Sequence, residues 1–104
     1  MKRGDIRWYK FNPPDKNRPV LIISRDSVIG YLNEITVVPI TTTIRDIPSE
    51  VILSEDDGMP KECAVNCDHI QTISKNKIGG LVTSLPLPKM KEVNMAVRFA
   101  LGMN

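Results

Sequence analysis

From Asp5 to Thr83 the apolar residues come in short runs of strand length, separated by clusters of proline, glycine, asparagine, aspartate and serine. Only beyond Pro86 and Pro88 does their spacing lengthen to three and four residues. That contrast confines the chain to a small set of folds. Asp5–Phe11 alternates, with Ile6 and Trp8 on one face and Arg7, Tyr9 and Phe11 on the other, which is the period of a strand. Pro13 and Pro14 cannot donate to a ladder, so Asn12–Asn17 is a loop. Arg18–Ser24 is almost continuously apolar and predicts a strand buried on both faces. Turn formers fill Asp26–Asn33, and a third strand follows at Glu34–Ile40, where Pro39 marks an edge or bulge. Short strands are predicted at Glu50–Leu53 and Ile78–Thr83. Glu62–Thr72 alternates as one longer run, with Ala64, Asn66 and Asp68 opposite Val65, Cys67 and His69. Met90, Val93, Val97, Ala100 and Leu101 then trace one stripe of a helix, with Pro88 suited to its first turn and Gly102 to its stop. The expected fold is mainly β (β+α): five to seven strands in a small, strongly bent sheet or barrel, capped by a C-terminal α-helix.

With 104 residues the chain fits one domain spanning 1–104, and no apolar run approaches the roughly 18 residues of a membrane span. The opening Met-Lys-Arg-Gly-Asp offers no apolar signal core, so a cytoplasmic protein is expected. Cys63 and Cys67 are too few for a secreted disulfide scaffold and, if extended, too far apart to bridge; buried free thiols are expected. The net charge of +2 hides an asymmetry: residues 1–20 carry six basic side chains against two acidic ones, whereas residues 46–68 carry seven acids against Lys61 alone. A basic N-terminal end can attract a polyanion or an acidic partner chain, and it equally describes ordinary solvated strand surfaces.

Most catalytic toolkits are missing. A single histidine excludes a two-histidine acid–base pair within one chain, and there is no phosphate-binding loop or dinucleotide glycine pattern. Cys63, Cys67, Asp68 and His69 are the only cluster of metal-ligand types, but on a strand they cannot all converge, so no metal and no cofactor is expected. What remains is a set of polar residues at strand ends. Arg18, where the proline loop meets a buried strand, is suited to a bidentate grip on phosphate, or to an ordinary ion pair. Thr41, Thr42 and Thr43 can donate hydroxyls to a phosphate oxygen, or simply serve as good β and turn formers. Asp68 is a candidate for proton transfer, or a turn cap.

Four motifs in order give these positions a common meaning. Lys-Arg-Gly-Asp-Ile-Arg-Trp-Tyr (2–9), Arg-Pro-Val-Leu-Ile-Ile-Ser (18–24), Val-Val-Pro-Ile-Thr (37–41) and Cys-Asp-His-Ile-Gln-Thr-Ile-Ser (67–74) resemble the successive signatures of the MazF/PemK (Kid) toxins, endoribonucleases of bacterial toxin–antitoxin pairs. The resemblance runs from end to end. It implies an SH3-like β-barrel with a C-terminal helix, a homodimer, and sequence-specific cleavage of single-stranded RNA without metal. In that chemistry the RNA's own 2′-hydroxyl attacks the adjacent phosphodiester, leaving a 2′,3′-cyclic phosphate and a 5′-hydroxyl. Carried over residue by residue, the resemblance places the catalytic arginine on Arg18, the threonine on Thr41 and an acidic position on Asp68. The transition state gains negative charge, which a cation and a hydroxyl donor stabilise. Arginine is a poor base, so Arg18 reads as electrostatic stabiliser and Asp68 as base.

RNA contacts are expected from Lys16 and Asn17, from Thr42 and Thr43, and from stacking on Tyr9 or Phe11, while Trp8 reads as core. The Asn12–Asn17 loop should lie over the RNA cleft. His69 stands where the resemblance calls for glutamine, and it either assists proton transfer or packs inward. A MazE-like acidic antitoxin is the implied partner, with DNA reached only through that complex and no membrane involved. Two rivals are a non-catalytic toxin like CcdB, which shares the barrel, and a peptide-binding SH3-like module. The first has no need of both Arg18 and Thr41. The second needs an aromatic groove, and aromatics are only 5% of this chain.

Overall fold

The structure is a computed structural model, and it describes residues 1–11 and 17–103. Seven strands and a C-terminal helix form the domain: β1 (Asp5–Lys10), β2 (Asn17–Ile22), β3 (Glu34–Thr41), β4 (Glu50–Leu53), β5 (Cys63–Asn66), β6 (Gln71–Ser74) and β7 (Ile78–Ser84). A one-turn helix, α1 (Asp26–Ile29), occupies part of the expected turn region, and α2 (Leu87–Ala100) closes the chain. The strand path runs β4-β5-β3-β2-β1-β7, with β6 also paired to β3. Every pairing among the described residues is antiparallel. The expected barrel is therefore an open one, since β4 and β7 end the path without pairing to each other.

The bend originates in β3. Its first half, Glu34–Val37, pairs with β6, and its last two residues, Ile40 and Thr41, pair with β5. Pro39 lies between the two sets of partners, where the strand needs no donor on that side. Because β2 and β3 lie in the middle, both of their faces are buried. Leu21, Val38 and Ile40 join one core with Ile6, Leu53, Val65 and the α2 residues Met90, Val93 and Ala96. Val20, Ile22, Ile35 and Val37 join a second with Tyr9, Ile29 and Ile73. Burying each such side chain fully is worth about 1.5–3 kcal/mol, so this double-sided packing fixes the register of the central strands.

Three expectations are corrected. Glu62–Thr72 is not one strand: a 3-10 turn at Cys67–His69 splits it, and Cys63–Asn66 is buried throughout rather than alternating. The turn forms because the Asn66 side chain accepts from the Asp68 backbone N–H at 3.2 Å, capping it locally. Leu101 leaves the helix stripe and is exposed, because α2 ends at Ala100 and Gly102 turns the chain at φ +69°. Trp8, expected in the core, is 40% exposed, whereas Tyr9 is buried. Among the described residues no helix is long and apolar enough to cross a membrane.

Candidate active site

A cleft of about 280 Å³ opens where β1, β2 and the end of β3 meet the loop before β5. Its walls are Trp8 from β1, Asn17, Arg18 and Pro19 from β2, Ile40, Thr41 and Thr42 at the end of β3, and Met59, Pro60, Lys61 and Cys63. The β2–β3 register explains why Arg18 and Thr41 meet there. Val20 faces Pro39, and the same register continued two residues further sets Arg18 against Thr41. Residues opposed in that way share a face with Cβ atoms roughly 5 Å apart in a closed ladder. Here the hydrogen-bonded ladder stops at Val20, so the two strand ends part and leave a cleft between them.

The two side chains are set up differently. Arg18 is exposed, and no carboxylate among the described residues lies within ion-pair distance of it. Its donors therefore face the cleft uncommitted to those groups. Thr41 Oγ1 accepts from the Thr43 backbone N–H at 3.1 Å. With that acceptor site used, the hydroxyl is held in place and its own proton is free to donate outward. Lys61, from the loop before β5, adds a second cation. Cys63 also lines the cleft but is buried and free, and burial chiefly, with the charges of Asp57 and Glu62, pushes its thiol up from the ordinary value. Such a thiol stays protonated and is no nucleophile at neutral pH.

The other expected site residues are distributed unevenly. Asn17 and Thr42 line the cleft; Thr43 supplies the hydrogen bond that positions Thr41. Lys16 lies outside the described residues, as does the rest of the loop from Asn12. Tyr9 is directed into the second core, with Phe11 packed edge-on against it, ring centroids 4.7 Å apart at 84°. Neither ring lines the cleft. Asp68 and His69 are exposed on the turn beyond the far end of β5, and the structure does not bring them to the cleft of the same chain. Asp68 Oδ2 instead accepts from the buried Ser49 hydroxyl at 2.7 Å. Asp68 and His69, expected on opposite faces of a strand, sit together on one 3-10 turn. Trp8 and Lys61 were missed. Lys61 is the lone cation in the acidic stretch 46–68, a signal that in retrospect marks it.

The opening motif proves to be structural. Gly4 has φ +95°, and an added Cβ would stand 3.4 Å from the Leu85 carbonyl oxygen. Asp5 is buried, accepts from Ser84 Oγ at 2.7 Å and the Lys2 N–H at 3.0 Å, and lies 3.7 Å from Arg7 Nε. Together these residues fasten the start of β1 to the end of β7, which sets the position of Trp8.

Comparison with known proteins agrees with this fold. The profile of PemK-like, MazF-like toxins of type II toxin–antitoxin systems matches residues 2–101. The probable endoribonuclease MazF2 of Mycobacterium tuberculosis is 31% identical over 103 residues, covering 98% of this chain and 99% of that protein. The structure of the M. tuberculosis toxin MazF-mt6 superposes with a TM-score of 0.88 at 32% identity, covering 96% of this chain and 98% of that one. An endoribonuclease solved in complex with its cognate antitoxin, from a mycobacterial species, gives 0.87 at 26% identity, covering 100% of this chain and 97% of that one. With its fold and nearly its whole length in common with them, the chain belongs to the family of PemK-like, MazF-like toxins of type II toxin–antitoxin systems.

Proposed function

We infer that the protein is the endoribonuclease toxin of such a pair, cutting single-stranded RNA in the cytoplasm at a specific short sequence. The observation that carries this reading is the meeting of Arg18 and Thr41, from two different strands, on one cleft. A guanidinium and a fixed hydroxyl donor fit the non-bridging oxygens of a phosphodiester, and both act more strongly as the phosphorane gains charge. The 2′-hydroxyl of the RNA is the nucleophile, so the protein supplies none. The protonated state of Cys63 is consistent with that division of labour. The products are a 2′,3′-cyclic phosphate and a 5′-hydroxyl, formed without metal.

Among the described residues, those that line the cleft include two cations and no carboxylate. For Asp68 to remove the 2′-proton, a second copy of the chain must bring it to the cleft. Homodimerisation, implied by the family, provides that route. The antitoxin is read as an acidic chain that covers the basic end of the toxin and folds on it. A binder without catalysis, like CcdB, is less well supported, because it gives no role to the hydroxyl that Thr43 positions.

The test is primer extension on a long single-stranded RNA in EDTA, with identification of the new ends. The wild-type protein cuts at defined sites and leaves 5′-hydroxyls. Arg18→Ala and Thr41→Ala lower cutting by about 10²-fold or more with unchanged thermal melting. A mixture of Arg18→Ala and Asp68→Ala proteins recovers activity that neither has alone if the site is shared between copies. No cutting by the wild-type protein, or cutting that EDTA abolishes, would refute the reading.

A further inference from the structure

We propose that Trp8 is the stacking platform for an RNA base beside the phosphate held by Arg18 and Thr41, and so a specificity-determining residue of this toxin; the proposal rests on the nuclease reading above. Tryptophan is a large aromatic side chain with much apolar area to bury, and exposed at the mouth of a cleft it offers a ready stacking face. Trp8 is 40% exposed although it lies in the middle of β1, two residues from the fully buried Ile6.

The exposure is built by the neighbouring strands. On β2 its register partner is Pro19, whose compact side chain lines the same cleft. On the other side β7 slips register twice, so that Arg7 pairs with Leu81 and Tyr9 with Ile78. The residues left facing Trp8 in that irregularity are Gly79 and Gly80, which have no side chain to lay over the ring. A Cβ at Gly79 would stand 3.8 Å from the Trp8 Cβ, in ordinary contact, so glycine is not demanded there by crowding. Its effect is to keep the indole bare.

The location decides the ligand. The ring borders the cleft that holds Arg18 and Thr41, which Lys61 also lines. A cationic groove with an aromatic face is how single strands are held: charges follow the backbone and the ring takes a base, with a preference set by stacking. Tyr9 and Phe11 cannot provide that face, since each packs on the other in the second core. Among the described residues that line the cleft, Trp8 is the only aromatic side chain.

Trp8 is also the only tryptophan in the chain, so its fluorescence reports on this one position. Once a cut site is mapped, the probe is a short RNA carrying that site with a single 2′-deoxy substitution at the scissile nucleotide, which removes the nucleophile. Titration quenches the Trp8 emission. Trp8→Ala raises KM about tenfold or more and broadens the set of sites cut, with kcat changed far less, and Trp8→Phe restores most of the wild-type KM. Unaltered fluorescence on saturating probe, or a wild-type KM in a folded Trp8→Ala protein, overturns the proposal while leaving the nuclease reading intact. Should Trp8→Ala fail to fold, the quench and the KM of Trp8→Leu, which should rise about tenfold because the stacking face is lost, decide the matter alone. Wild-type protein that cuts no RNA would overturn both.

Discussion

The carboxylate of Asp5 is buried with two donors on it, the Ser84 hydroxyl and the Lys2 N–H, and with Arg7 alongside. Removing it leaves those groups without an acceptor in a place where water replaces it poorly. Asp5→Ala should therefore cost about 2 kcal/mol in urea unfolding, and a change within a few tenths would show that the N-terminal turn is held by something else. The residue scale is also where the sequence is easiest to misread. Gly4-Asp5 stands out as a motif, yet its chemistry is a positive φ and a buried hydrogen-bonding centre, both remote from the cleft. Trp8 and Tyr9 are adjacent and both aromatic; the alternation of β1 was legible, but which face meets solvent is decided by β7's register slips, and those leave no mark in a local window.

At the scale of elements, the strands and α2 were readable because each buries a stripe at its own period. The split between β5 and β6 was not. Alternation runs unbroken through Val65, Cys67 and His69, and the turn there, capped by Asn66, lets β3 take two successive partners. The turn itself puts Cys67 in the core, where burial first and the Asp68 charge second push its thiol up to about 11 from 9.0. An unfolded chain loses that proton near pH 9, the folded one only near 11, so the folded state binds more protons between them. The stability linked to Cys67 is thus intact below pH 9 and lost as pH rises toward 11. The urea midpoint of the wild type should fall more steeply across that window than that of Cys67→Ala, and equal slopes would contradict the assignment.

For the whole molecule, the decisive feature is that two antiparallel central strands convert a sequence separation of more than twenty residues into a shared cleft mouth. Arg18 and Thr41 flank apolar runs, but it was the resemblance of their motifs that named them, and the β2–β3 register then makes them neighbours. Met59 carries no such mark and Lys61 only its lone positive charge among residues 46–68, because the loop that carries them is placed by a contact distant in sequence: Thr83 Oγ1 donates to the Asp57 carbonyl at 3.1 Å, directly beside Gly58 at φ +93°. Asp68 was legible as a motif residue, but its motif does not say on which side of the molecule it falls.

If Arg18 and Thr41 grip one phosphate, their contributions to cutting must be coupled. Single-turnover rates on one defined RNA for the wild type, Arg18→Ala, Thr41→Val and the double variant measure that directly. The double variant should be little slower than the worse of the two single variants. Rate losses that multiply independently would mean that the two side chains act on different groups, and the shared phosphate at the centre of this account would be wrong.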